Sequence, residues 1–224
     1  MVQRDYILRM IEKFGQLVAK IVNLSKSGDF ETARQTIANS TEELVDMSPA
    51  EVCQQSELKL VSKMLAGKQP MEGRARCFVL VALLDEAGNV AAKTGEHDEF
   101  REFKLKALNI LLAVKNFADE DVVPDFVPKV DGLIAELKDE GIPPRTLASL
   151  MQHHEFIGAF SRAEDCLYEL VEVAPNKQQA LQLGFAFYHR LLVKTDEELE
   201  DGNLPRSEVE SGLTDLEKRY SAAI

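Results

Sequence analysis

The side chains able to do chemistry are two histidine-bearing clusters, three cysteines and a run of carboxylates. His153-His154-Glu155 has the donor set of a metal site. Ligands on one helix must stand three or four residues apart to share a face. Adjacent histidines point about 100° apart, so an ordinary helix cannot chelate one ion with this pair. Neither H-E-x-x-H nor E-x-x-H occurs. His154 therefore reads as a core residue. His97-Asp98-Glu99 falls at an expected helix start, where Asp98 reads as a cap. Cys166 and His154 lie on neighbouring expected helices, but a thiol among core residues is inert. Glu197, Glu198, Glu200 and Asp201 lack the Asp-x-Asp-x-Asp-Gly spacing of a calcium loop and read as a solvated acidic segment. There is no G-x-S-x-G, Walker or G-x-G-x-x-G motif. The expectation is a non-enzyme with no catalytic, cofactor-binding or metal-binding residues.

Charge narrows the partners. The 224 residues carry a net charge of −12, which repels phosphate backbones, so no nucleic-acid partner is expected. Met1 to Lys26 holds five basic and two acidic residues, whereas Thr195 to Glu217 holds nine acidic residues and a single arginine, Arg206. Cys53, Cys77 and Cys166 are few and far apart, which suits reduced thiols in a cytoplasmic protein. Asp5 and Glu12 interrupt what would be the apolar region of a signal peptide, so none is expected. No apolar run approaches the length of a membrane span, about 18 residues, so no membrane partner is expected either.

Long helices must position these residues. Glycine (12) and proline (8) are scarce, which disfavours a turn-rich β-sandwich. Apolar residues from Ile7 to Leu24 cover an arc of roughly 200°, wider than the ~100° stripe of a surface helix. That helix must bury against several neighbours, or meet a second copy of the chain to form a homodimer. Gly28-Asp29 marks a break and a cap, and Ser48-Pro49-Ala50-Glu51 is a capping box. One helix then runs through Leu58, Val61 and Leu65 to Gly67. Pro70 opens another, which carries the apolar run Cys77 to Leu84 and closes at Thr94-Gly95. Helices follow from Asp98 to Phe117, to Glu140 after a connection at Asp119–Pro128, over Arg145–Ile157, Phe160–Val173 and Asn176–Val193, and from Ser207 to Tyr220. The pattern predicts an all-α chain of eight to eleven antiparallel helices without strands. It reads as a single domain with N-terminal helices over 1–95, hairpins over 96–204 and a capping helix over 205–224.

Leu147 to Asn176 resembles a tetratricopeptide repeat, a helix–turn–helix unit of about 34 residues. Leu147 and Leu150 lie on its first helix, Gly158-Ala159-Phe160 form the turn, Ala163 and Leu167 lie on the second helix, and Pro175-Asn176 close it. Leu183 to Tyr188 resembles the start of a following unit, and Gly28-Asp29-Phe30-Glu31-Thr32-Ala33 repeats the turn pattern. Met151 departs from the expected small residue. The opening Arg4 to Glu12 resembles the start of an uncharacterised bacterial family with such repeats, which brings no known activity. The resemblance implies a right-handed array of helical hairpins that binds a protein or peptide. First helices would line its groove, with Arg145, Gln152 and Glu155 on one and Gln178, Phe185, Tyr188 and His189 on the next. The glutamines could bind a peptide backbone and Arg145 a carboxylate. Phe185 and Tyr188 would either offer rigid apolar area or pack on the last helix around Val209, Leu213 and Leu216. The alternative is a small helical enzyme or ligand-binding protein with a pocket inside its bundle.

Overall fold

The structure, a computed structural model, describes residues 2–115 and 123–222. Twelve α-helices and no strand occur among them: α1 (Val2–Ser27), α2 (Phe30–Val45), α3 (Pro49–Gln54), α4 (Glu57–Leu65), α5 (Pro70–Thr94), α6 (His97–Lys115), α7 (Val130–Glu136), α8 (Pro144–Phe156), α9 (Phe160–Val173), α10 (Lys177–Leu192), α11 (Asp196–Asp201) and α12 (Arg206–Ala222). The expected helix end at Phe117 and the start of the connection at Asp119 lie outside the described residues.

The count exceeds the expected eleven for two local reasons. The helix expected from Ser48 to Gly67 is two, because Ser56 leaves the helical conformation and caps α4 by accepting from the Lys59 amide at 3.3 Å. The acidic segment after Thr195 is itself a helix. Thr195 accepts from the Glu198 amide at 3.2 Å, and Glu198 accepts from the Thr195 amide at 2.9 Å, a reciprocal capping box. The helix expected to reach Glu140 stops at Glu136 and continues as turns.

The chain divides into two compact units, Met1–Gly141 and Ile142–Ile224. Gly95 is only a hairpin turn. Its φ of 82° suits a residue without a Cβ, and it lets α5 and α6 lie antiparallel. In the first unit α5 is the central helix, touching α1, α2, α4 and α6. Its run from Cys77 to Leu84 is buried on every side, which is why it shows no helical period. Leu80, Val81, Leu83 and Leu84 are wholly buried, each contributing about 1.5–3 kcal/mol of transfer free energy.

The second unit is two helical hairpins. α8 pairs with α9 and α10 with α12, while α9 packs on α10. Gly158, at φ 77°, makes the α8–α9 turn. Phe160, Ala163 and Leu167 of α9 are buried with Leu147 and Met151 of α8, so the turn residues singled out in the sequence do hold this hairpin together.

Candidate functional site

The second unit contains the residues expected to bind a partner. Arg145 and Gln152, seven apart on α8, are exposed on one face, as are Gln178 and His189 on α10. Glu155 is half-buried and holds Arg190 in a bidentate pair at 2.6 and 2.7 Å. That bond raises the arginine pKa further above its ordinary value. Phe185 is half-buried and packs against the unit's core.

Tyr188 does not belong to this set. It is 0% exposed. Gly184, Tyr188 and Leu191 form the buried stripe of α10, spaced four and three apart. Helix α12 covers that stripe, and at Gly212 any Cβ would strike the Tyr188 hydroxyl. The hydroxyl donates to Glu164 Oε1 at 2.6 Å. Burial pushes Glu164 above the usual carboxylate range, against the opposing pull of this bond. Tyr188 therefore closes the α9–α10–α12 core, and the groove expected around it does not exist.

A different groove does. It has a volume of about 340 Å³ and lies where the starts of α8 and α10 meet the end of α9. Ala148, Leu170, Ala174 and Ala180 form its apolar walls, and Arg145 and Gln179 add charge and amide groups. Of the expected partner-binding residues, only Arg145 lines it.

The His153-His154 pair packs in the interior, whereas His97, Asp98 and Glu99 are exposed. His153 and His154 are both buried, with ring centroids 5.6 Å apart. Among the described residues, no group of three His, Cys, Asp or Glu could hold a metal ion. Asp98 sits in the first turn of α6 rather than at its cap. Burial, then the charges of Glu169 and Asp165, push the Cys166 thiol up to about 11, which leaves it protonated and a poor nucleophile.

The first unit contains a polar cluster that the sequence reading passed over. Lys104 of α6 is 0% exposed. Its ammonium donates to Asp85 Oδ1 at 2.5 Å and Asn89 Oδ1 at 2.7 Å on α5, and pairs with Glu136 Oε2 of α7 at 2.5 Å. Its aliphatic stem lies across Gly88, where a Cβ would come within 2.9 Å of Cε. Burial raises Asp85 above the usual range while Lys104 pulls it back. Burial and the neighbouring Asp85 charge raise Glu86. A second groove of about 340 Å³, lined by Ser25, Lys26, Glu86, Asn89 and Lys93 among others, opens beside this cluster. The available sequence signal was Asp85-Glu86 and Asn89 directly after the apolar run Cys77–Leu84, with Lys104 between Phe103 and Leu105.

These features define an all-α protein of antiparallel helical hairpins, and no helix among its described residues is long and apolar enough to cross a membrane. The chain belongs to a family of unknown function, DUF6483, whose model matches residues 1–221. No curated protein and no solved structure matches it.

Proposed function

We propose that the chain is a non-catalytic scaffold of tetratricopeptide-repeat-like hairpins that binds a protein or peptide in the bacterial cytoplasm. The observation that carries this reading is the groove between α8, α9 and α10. Apolar walls beside Arg145 and Gln179 are the chemistry of a peptide groove, where apolar contact supplies affinity and a few polar groups fix register. The three free cysteines suit a reducing compartment. The test is affinity capture from the native cell with the full chain and with Ala148→Trp, which fills the groove. A partner held by the first and lost by the second is expected; equal capture by both refutes the groove.

A homodimer through α1 belongs to the same proposal. Phe14, Leu17 and Leu24 are only half-buried in their own chain, while Val18 and Ile21 are buried. The side chain of Met10 lies outside the described residues. Light scattering on the purified chain decides this, and a monomer ends it.

The alternative, a ligand-binding protein, rests on the groove beside Glu86, Asn89 and Lys93 in the first unit. A thermal-shift screen of charged small molecules tests it, with Lys93→Ala as the control that must abolish any shift.

A further inference from the structure

At the end of the second unit remote from the groove, apolar side chains that elsewhere would be buried face solvent. Phe156 and Ile157, at the C-terminal end of α8, are 61% and 54% exposed, and Val193, just after α10, is 85% exposed. Single exposed hydrophobics are ordinary, but a group of them at one place marks a docking surface. Several contacts put these three at one place. The Glu155–Arg190 pair ties the ends of α8 and α10 together. The Lys194 ammonium, next to Val193, lies 5.3 Å from the centre of the Phe160 ring. The Ser161 amide donates to the Gly202 carbonyl at 3.1 Å, so the end of α11 rests on the turn that follows Ile157.

That turn and α11 carry an uneven charge. Arg190 is engaged by Glu155, Lys194 by Glu198, and Arg206 by Asp196. Exposed Glu197, Glu200 and Asp201 on the same short helix remain as carboxylates beside the apolar patch. An apolar centre with an anionic rim is complementary to one class of partner: an amphipathic segment with aliphatic or aromatic anchors flanked by lysine or arginine. The same carboxylates disfavour an anionic lipid surface.

We propose that the Phe156–Ile157–Val193 patch, rimmed by the carboxylates of α11, docks a cationic amphipathic peptide segment of a partner protein. The proposal shares with the scaffold reading only the ligand class. Pro144, at the groove, and Phe156 are twelve residues apart on α8, about 18 Å at 1.5 Å per residue, so the two surfaces succeed or fail separately.

The probe is a fluorescein-labelled amphipathic peptide of leucine and lysine, measured by fluorescence anisotropy on the full chain against its leucine–glutamate counterpart. The lysine peptide is expected to bind, and added salt to weaken it. Two triple variants separate the contributions. Phe156→Ser/Ile157→Ser/Val193→Ser keeps every charge, and Glu197→Gln/Glu200→Gln/Asp201→Asn keeps every apolar contact. Each is expected to weaken binding about tenfold or more, roughly 1.4 kcal/mol, while Ala148→Trp leaves it unchanged. No binding overturns the proposal. So does equal binding by the charge-preserving variant, which would show diffuse attraction to an acidic protein. Comparable binding of the glutamate peptide overturns it too. Self-association of the wild type that the apolar triple variant abolishes would assign the patch to a second copy of the chain instead.

Discussion

Replacing Lys104 by methionine tests the energetics of the first unit most directly. Methionine keeps an unbranched stem of similar length over Gly88 but removes the ammonium. The wild-type cation is wholly buried, with Asp85 and Glu136 each 2.5 Å away. Opposite charges 4 Å apart attract by about 4 kcal/mol at an effective dielectric of 20, and each pays a desolvation penalty of several kcal/mol. The intact cluster is therefore close to neutral, but a half-cluster is not. Lys104→Met leaves Asp85, whose side chain is only 16% exposed, without its cation and should cost about 3–5 kcal/mol. Replacing both, as Lys104→Met/Asp85→Leu, removes the stranded charge as well and should cost less than the single change.

The pH dependence carries the sign of the argument. Burial already raises Asp85, and Lys104 is the main influence pulling it down. Without Lys104 the folded-state pKa of Asp85 rises further above its unfolded value. A carboxyl with a raised folded pKa favours the folded state when protonated, and that contribution is lost as pH rises through the folded pKa. The deficit of Lys104→Met should therefore be greatest at neutral pH and shrink in acid as Asp85 takes up a proton. The assay is urea unfolding followed by far-ultraviolet circular dichroism at acidic and neutral pH. A deficit below about 1 kcal/mol at neutral pH would refute the reasoning, as would additivity of the two changes or a loss that grows in acid.

Two further outcomes follow from packing and from burial. Gly73→Ala places a methyl group 3.0 Å from the Leu65 Cα and 3.1 Å from the Met64 carbonyl. Because backbone cannot yield as a side-chain tip does, the change should lower stability by about 1–3 kcal/mol despite alanine's better helix propensity, read as a fall in the urea midpoint. The thiols of Cys53 and Cys77 are pushed up to about 12 and that of Cys166 to about 11. Alkylation of the folded chain at pH 8 should then be slow and become rapid in denaturant, with mass spectrometry following each cysteine; rapid labelling of folded Cys77 would contradict its burial.

Helix boundaries were legible where local chemistry decides them. Ser48, Pro49, Pro70 and Gly158 each act on their own few neighbours, and each stands where its sequence context placed it. The Cys77–Leu84 run also read correctly as helix, because its flanks continue the helix and no partner strand competes. The break at Ser56 was missed because serine is tolerated inside helices, and only the bond it makes to the Lys59 amide shows it capping one. The site was less legible because it depends on which distant element covers which face. Tyr188 and His189 are neighbours on α10, yet one is buried and the other exposed, because α12 returns over the side that Tyr188 occupies. Lys104 carried a local signal, a charge among apolar neighbours, but its partners lie on two other helices.

The excess of acid takes on a structural meaning once the basic side chains are followed to their partners. Arg76 donates to the Leu44 carbonyl at 2.7 Å, and Lys63 reaches Val45 beside it, at the C-terminal end of α2. Lys106 donates to the Gln55 carbonyl at 2.7 Å after α3, and Arg101 to the Glu140 carbonyl at 3.2 Å beyond α7. Lys177 donates to the Val171 carbonyl at 2.5 Å near the end of α9, and Arg206 to the Lys194 carbonyl at 2.6 Å after α10. The last turn of a helix leaves carbonyls without intrahelical donors and carries the negative end of its dipole, so cations are most useful there. Six cations are thus bonded at or just beyond helix ends and Lys104 is wholly buried, while carboxylates such as Glu197, Glu200 and Asp201 are exposed. A fold of many short helices has many such ends, and this chain closes several of them with basic side chains. The net charge of −12 biases the surface toward cationic partners.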